Sequence, residues 1–441
     1  MSSRLNSSRK VVLLLMTPST YRASDFLAAG RAAGLEVVVG TSEPQTLAGL
    51  MPDGHLTLPW DDPARAVRKV AEFARSRPLH AVVAVDDEGV LLAAAVSRQL
   101  GLPHNSSRSV ALTLDKAAMR QRLAGAGLST PRFMTCSGPE DLQQVESFIG
   151  FPCVVKPLHL SGSLGVIRVQ DRSGLAAAVD KVVGLLKRPD LKARRSRAAQ
   201  AVRTIDAGRE GRPGDGAILV EEYIPGREVA LEGLLRQGKL DVLALFDKPD
   251  LLVGPFFQET VYVTPSREPS GLQAAVRKAA AATAGALGLS HGPVHGEFRI
   301  NSRGIWPLEM AARSIGGLCS RTLRFGTGFS LEDLILRQAC GLEIPSVDRE
   351  SGASGVMMIP IPTAGTLVSV SGRRKARQVE GIQEVLITIP VGGEVIPPPE
   401  GSRYLGFILA KGPTPQAAER SLRRAHRCLS LEIRPAPGVK P

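Results

Sequence analysis

Two carboxylates and an arginine, Glu297, Glu309 and Arg313, stand at a spacing that could do chemistry. They sit in Gly292-Pro-Val-His-Gly-Glu-Phe-Arg-Ile-Asn301 and Ile305-Trp-Pro-Leu-Glu-Met-Ala-Ala-Arg313, which read as two antiparallel strands joined by a turn over Asn301-Ser-Arg-Gly304. Facing strands would let Glu297 and Glu309 converge. Paired carboxylates are hard oxygen donors, and they hold Mg²⁺ where phosphate oxygens complete the octahedron. Arg313, four residues past the second acid, has a planar fork that matches a carboxylate or a phosphoryl group in transfer. His295 lies two residues before Glu297, on the same strand face. It could orient the metal acid, accept a proton, or serve only as a packed structural side chain. A surface ion pair on an ordinary hairpin is the competing account of the whole stretch, so the rest of the chain has to decide.

The elements that would position these groups begin with an alternation of strand and helix. Strands are predicted over 11–16, 36–39 and 81–85, and helices over 23–33, 63–75 and 88–100. Continuous apolar strands between amphipathic helices predict a parallel sheet covered on both faces, a Rossmann-like half domain. Thr17-Pro-Ser-Thr20 stands where a dinucleotide fold has Gly-x-Gly-x-x-Gly, so nothing here argues for a dinucleotide. Asp86-Asp87-Glu88 follows the third strand, where open α/β sheets bind ligands. Capping and first-turn acids of the next helix explain the same residues equally well.

A helix over 116–126 begins with Lys116. Phe151-Pro-Cys-Val-Val-Lys156-Pro reads as a buried strand ending in a lysine, and the loop Leu160-Ser161-Gly162-Ser163-Leu164-Gly165-Val166 follows. A cation beside closely spaced backbone N–H groups suits a polyphosphate, although Ser/Gly turns are common. The run 217–233 reads as an apolar strand, a turn at Pro225-Gly226 and an alternating strand, together a hairpin. Glu221 and Glu228 bracket a linker, Glu222-Tyr223-Ile224, whose backbone could meet an adenine edge.

The 441 residues suffice for two to four domains, and 43% of them are apolar. The net charge of +13 would permit nucleic-acid binding, yet only 4% of residues are aromatic and no nucleic-acid motif appears, so no such partner is expected. Much of the excess is local: nine Lys/Arg against three acids between Lys187 and Arg212, within a window 187–216 that reads as a flexible basic loop. Five widely spaced cysteines without a Cys-x-x-Cys pair fit a reduced, cytoplasmic protein. No apolar stretch is long enough to span a bilayer.

Taken in order, Lys116, Lys156 with its Ser161–Gly165 loop, the acidic hinge Val220-Glu-Glu-Tyr-Ile-Pro-Gly, and the acids Glu297 and Glu309 resemble the ATP-grasp superfamily of ligases. The resemblance covers about residues 5–435. No single motif is specific, and the order of all five carries it. Glu309-Met-Ala-Ala-Arg313 looks most like the L-amino-acid ligase branch, which joins amino acids into dipeptides. Biotin carboxylases have Asn two residues after the second acid and Glu four after the arginine; Ala311 and Gly317 stand there instead.

The resemblance implies an α/β fold in three parts. They are a Rossmann-like N-terminal domain (8–112), an ATP-grasp core (113–342) with a mobile lid (about 154–225), and a small C-terminal α+β accessory domain (343–441). It implies ATP and Mg²⁺ as cofactors, with Mn²⁺ as a substitute, and small-molecule carboxylate and amine substrates. Lys116 and Lys156 would bind ATP phosphates under a flap of Ser161, Gly162, Ser163 and their neighbours to Gly165. Glu221, Glu222 and the main chain of Tyr223 and Ile224 would face the adenine, and Glu228 the ribose hydroxyls. Glu297 and Glu309 would carry one or two Mg²⁺. Arg313 would grip the substrate carboxylate and then its acyl phosphate. The runs 246–250 and 254–262 would line the acceptor side, and Gly316-Gly317 would leave room for a larger substrate. The small domain would close over the site, and a homodimer stays open. The alternatives are a biotin-carboxylase-like or other carboxylate ligase, and a nucleotide-binding protein without turnover.

Overall fold

The computed structural model describes residues 9–44, 54–189, 191, 218–401 and 403–435; most of the basic window 187–216 lies outside them. Strands β1 (Val11–Leu15), β2 (Glu36–Thr41), β3 (His55–Thr57) and β4 (Ala81–Ala84) form a parallel sheet in the order β3-β2-β1-β4. The apolar run of β1 is buried on both faces, as a sheet covered by helices requires, while on β4 Ala81 and Val83 are buried and Val82 and Ala84 half-buried. Its helices start where local chemistry directs. Asp62 accepts the Arg65 N–H and Pro63 opens the helix Pro63–Ser76, a proline position that loses no hydrogen bond. The Rossmann-like half domain is therefore present; β3, too short and polar to announce itself, joins its edge.

A second sheet, β5 (Phe133–Cys136), β6 (Cys153–Pro157), β7 (Ile167–Val169) and β8 (Ile218–Glu222), is antiparallel in the order β5-β8-β6-β7. Val155 and Val220 pack on Val179 and Val182 of the helix Arg172–Leu186, so this unit has its own apolar core.

The third sheet is the frame of the molecule. Strands β9 (Arg227–Arg236), β10 (Lys239–Lys248), β11 (Val261–Thr264), β12 (Gly292–Asn301), β13 (Gly304–Ala311) and β14 (Ala353–Ile359) are followed by β15 (Gly365–Ser371), β16 (Ile382–Ile387), β17 (Glu394–Val395), β18 (Gly406–Gly412) and β19 (Ser430–Pro435). Eight of them run β13-β12-β9-β10-β11-β14-β18-β16, and β17-β15-β19 make a small separate sheet. The large sheet thus continues through residue 342 into the C-terminal third.

One expectation is corrected. The runs either side of Pro225-Gly226 do not pair as a hairpin: β8 pairs with β5 and β6, and β9 with β10 and β12. The link passes so close to β12 that a Cβ on Gly226 (φ 135°) would fall 2.3 Å from the Ile300 carbonyl oxygen. β9 is ten residues long and almost wholly buried, so it satisfies its backbone against two strands of the frame. Pro225-Gly226 is a hinge between two sheets.

Candidate active site

Register builds the first wall. β12 and β13 are the antiparallel pair expected from the sequence, with Glu297 directly opposite Glu309. On β12, His295, Glu297 and Arg299 alternate onto one face. β9 answers with Glu232 opposite His295 and Glu228 opposite Arg299. β10 then places Lys248 opposite Glu228. The Lys248 ammonium reaches three carboxylates, Glu228 Oε1 at 2.6 Å, Glu297 Oε1 at 2.8 Å and Glu259 Oε1 at 3.1 Å. Burial would lower its pKa, but the three acids outweigh that and raise it well above the ordinary range. Burial alone would raise the Glu297 carboxyl, yet Lys248 and His295 hold it well below.

His295 lies between Glu232 Oε2 (3.6 Å from Nδ1) and Glu297 Oε1 (3.7 Å from Nε2), at ion-pair rather than hydrogen-bond distance. Burial depresses the imidazole, the two carboxylates outweigh it, and its pKa rises to about 9. Glu232, fully buried, is pushed up by desolvation despite His295 and the Ile315 N–H on its Oε2.

The second wall comes from the β5-β8-β6-β7 sheet and the helix Lys116–Gly125. Glu221 takes the Arg120 Nε on Oε1 and the Lys156 ammonium on Oε2, each at 2.6 Å. Two cations overcome burial and bring this carboxyl down to about 2. Arg120, fully buried, also donates to the Pro307 and Leu308 carbonyls at 2.9 and 2.7 Å, tying this wall to β13. Lys116 donates to the Leu160 carbonyl at 2.5 Å and lies 3.8 Å from Glu309 Oε2. Glu221, expected on the adenine side, thus has both oxygens engaged, and beyond it the Glu222 and Tyr223 N–H groups donate to the Arg132 and Pro152 carbonyls at 2.8 and 3.1 Å. Glu222 pairs at the surface with Arg132 and Arg303. The Tyr223 ring lies under the Arg168 guanidinium at 4.0 Å, and the Ile224 carbonyl accepts from Arg299 Nη1 at 2.8 Å.

Arg313 holds Asp87 with two parallel bonds of 2.9 Å, Nε to Oδ1 and Nη2 to Oδ2. Burial raises the Asp87 carboxyl, and Arg313 more than reverses it. Ser161, in the loop after β6, adds to that lowering. Asp86 accepts from the Thr17 N–H and from the Thr17 and Thr20 hydroxyls, so it shapes the loop after β1. The acidic cluster therefore has two jobs, one in the cleft and one in the loop.

These walls enclose a cleft of about 850 Å³. All fourteen residues singled out from the sequence line it: Lys116, Lys156, Ser161, Gly162, Ser163, Glu221, Glu222, Tyr223, Ile224, Glu228, His295, Glu297, Glu309 and Arg313. Lys248, Glu259, Arg120, Arg299 and Glu232 complete the charge networks without having been picked out. Arg120 carried a signal, four residues after Lys116 on one helix face. Arg299 and Glu232 carried another, at even spacing from Glu297 and Glu228 along their strands. Lys248 and Glu259 lay within the runs expected at the acceptor side, but nothing local distinguished them.

Glu297 and Glu309, opposite each other and beside the lysines, fit a divalent cation whose shell is completed by phosphate and water. Among the described residues no cluster of three His, Cys, Asp or Glu could hold a metal alone. No helix among them is long and apolar enough to cross a membrane.

Three family models match the chain: an ATP-grasp N-terminal domain over 27–104, an ATP-grasp domain over 149–322, and an L-amino acid ligase C-terminal domain 2 over 357–434. The L-amino acid ligase structure from Bacillus licheniformis is similar over 97% of this chain and 99% of its own, at 25% identity and a TM-score of 0.79. Alanine–anticapsin ligase of Bacillus subtilis is 24% identical over 62% of this chain and 57% of its own. A D-alanine–D-alanine ligase of Aromatoleum aromaticum is 30% identical over 42% of this chain and 52% of its own. The matches cover between about a quarter and two thirds of the length of the curated relatives.

Proposed function

We propose, from the premise that this chain belongs to the ATP-grasp superfamily, that it is an ATP- and Mg²⁺-dependent carboxylate–amine ligase with an amino acid on at least one side. The observation that carries this reading is the layout of the cleft. Lys116 and Lys156 stand on one wall, the facing pair Glu297 and Glu309 on another, and a guanidinium, Arg313, is locked in orientation between them. A carboxylate oxygen of the first substrate attacks the γ-phosphorus and ADP leaves. The amine nitrogen then attacks the acyl carbon, the C–O bond to phosphate breaks, and the amine gives up a proton. Phosphoryl transfer of this kind asks the protein mainly for placement and charge neutralisation.

Within that scheme Lys116 and Lys156 neutralise phosphate oxygens, and Glu221 keeps Lys156 aimed. Ser161, Gly162 and Ser163 cover the triphosphate and exclude water that would hydrolyse the acyl phosphate. The main chain from Glu222 to Ile224 takes the adenine edge, with Glu228 on the ribose side. Glu297 and Glu309 would hold Mg²⁺, which supplies charge stabilisation to the transferring group. His295 orients Glu297. Arg313, held in orientation by Asp87, grips the substrate carboxylate. Five free cysteines, four of them buried, suit a reducing cytoplasm.

The test is release of ADP and phosphate from the purified protein with Mg-ATP, across single and paired amino acids and simple carboxylates. Release that requires a particular carboxylate–amine pair, with the amide detected by mass, is the expected result. Tight nucleotide binding without release for any pair would replace the ligase by a nucleotide-binding protein.

A further inference from the structure

Six lysine and arginine side chains line the cleft among the described residues, and five have defined partners. Arg22 donates to the Val85 carbonyl at 2.7 Å and to Ser314. Lys116 is held by the Leu160 carbonyl, Lys156 by Glu221, Arg299 by Glu228 and Arg313 by Asp87. Arg403 is the sixth. It is exposed at the rim, comes from the C-terminal third, and makes no ion pair or hydrogen bond with any described residue.

The residues that follow it are nevertheless fixed. The neighbouring Tyr404 hydroxyl donates to Glu259 Oε2 at 2.7 Å, the same carboxylate that receives Lys248 on its other oxygen. The Tyr404 ring packs edge-on against Phe407 with centroids 5.5 Å apart, and Leu405 is fully buried. The Thr388 hydroxyl closes the segment by donating to the Tyr404 carbonyl at 2.9 Å. A chain anchored immediately after it, at Tyr404 and Leu405, presents one unpaired guanidinium to the cleft. Arginine in such a place recognises planar oxyanions through its fork of N–H donors.

We propose that Arg403 is a specificity-determining residue that takes an oxyanion of a bound substrate from the C-terminal side. The source is either the carboxylate of the amine substrate or a phosphoryl oxygen of ATP. Arg313 differs from it: its fork is already oriented by Asp87, so one arginine is preorganised and the other is free to follow its ligand. This inference rests on the ligase reading for its turnover arm alone.

The experiment compares wild type, Arg403→Gln and Arg403→Lys in two readouts. The first is kcat/KM for an accepted amino acid as amine substrate against the same amino acid as its primary amide. The second is calorimetric binding of Mg-ATP, which reads Arg403 even if no substrate pair turns over. Loss of the guanidinium should cost about ten- to hundredfold in whichever readout contains its ligand. A collapse of the acid-to-amide preference in Arg403→Gln, partly restored in Arg403→Lys, assigns the substrate carboxylate. Weaker Mg-ATP binding with the preference intact assigns the phosphoryl oxygen. Both readouts within twofold of wild type would overturn the proposal. Absence of phosphate release from wild type, with a tenfold loss of Mg-ATP binding in Arg403→Gln, would sink the ligase reading and keep this one.

Discussion

The two facing walls of the cleft are both built from buried ion pairs, yet they are paired to opposite surplus. On the wall formed by β6, β8 and the helix Lys116–Gly125, one carboxylate, Glu221, is shared by Arg120 and Lys156. On the wall formed by β9, β10 and β12, one ammonium, Lys248, is shared by Glu228, Glu259 and Glu297. The first wall keeps positive charge over; on the second, the acids Glu228, Glu232, Glu259 and Glu297 stand against Lys248, Arg299 and His295 and leave one negative charge over. A polyanion and a divalent cation are what such walls would accept, each on the side of opposite sign. Pairing therefore fixes the geometry of each group while leaving the sign of the wall available for a ligand, and the contrast can be tested by removing one charge at a time.

The largest expected effect lies where the negative wall meets the site of reaction. Glu309→Gln and Arg313→Ala should each lower phosphate release by about 10³-fold. They should differ in binding, because Glu309→Gln weakens Mg-ATP whereas Arg313→Ala leaves it nearly intact. Rates near wild type for either variant would dissolve the assignment of that wall.

Stability should separate the walls next. Glu221→Gln leaves Arg120 and Lys156 buried without a counter-charge, at a cost of about 3–5 kcal/mol in urea unfolding. Glu297→Gln still leaves Lys248 with Glu228 and Glu259, so it should destabilise far less while losing turnover. Equal costs would mean that the two networks are equally self-contained.

The same contrast explains what was legible beforehand. Each motif proposed to touch phosphate or metal stood out in the sequence because its chemistry is local: a lysine beside Ser161–Gly165, two acids on adjacent strands, an arginine four residues on. Lys248 and Glu259 acquire meaning only from the register β10-β9-β12 and from a loop returning over it, neither of which short-range spacing encodes. The supposed hairpin at Pro225-Gly226 failed for a related reason. An apolar strand followed by a turn and an alternating strand reads the same whether its halves pair with each other or with separate sheets, and Gly226 was indistinguishable from a turn glycine until Ile300 was seen beside it. Tyr404 and Arg403 gave no sequence signal at all, since nothing near them is periodic or rich in site residues.

pH should resolve the negative wall further. His295 titrates at 6.5 when unpaired and about 9 in the folded protein. Its contribution is thus complete below pH 6.5 and lost as pH rises through 9, on the order of 3 kcal/mol in total. Wild type should lose stability across that window relative to His295→Gln, measured by urea midpoints between pH 6 and pH 10. A constant difference across the window would show His295 neutral and the Glu232–His295–Glu297 line uncharged at its centre.

The smallest effect belongs to the outside of the lid, where pairing has no surplus to hold. The lid meets the C-terminal third through the Gly165 N–H on the Pro399 carbonyl (2.8 Å), Arg188 on the Glu400 carbonyl (2.9 Å), and Lys181 on Glu400 Oε1 (2.8 Å). The first two bind backbone and do not depend on the Glu400 charge. The third is about two-fifths exposed on both sides, and Lys181 also lies 5.5 Å from the Phe256 ring. Water and salt screen such contacts, so Lys181→Ala should cost about 0.5–1 kcal/mol, shrink in high salt, and leave turnover within twofold. A loss as large as that of Glu221→Gln, read in the same urea titration, would place an exposed ion pair on a par with the buried wall and break the distinction between charge that holds the fold and charge held for a ligand.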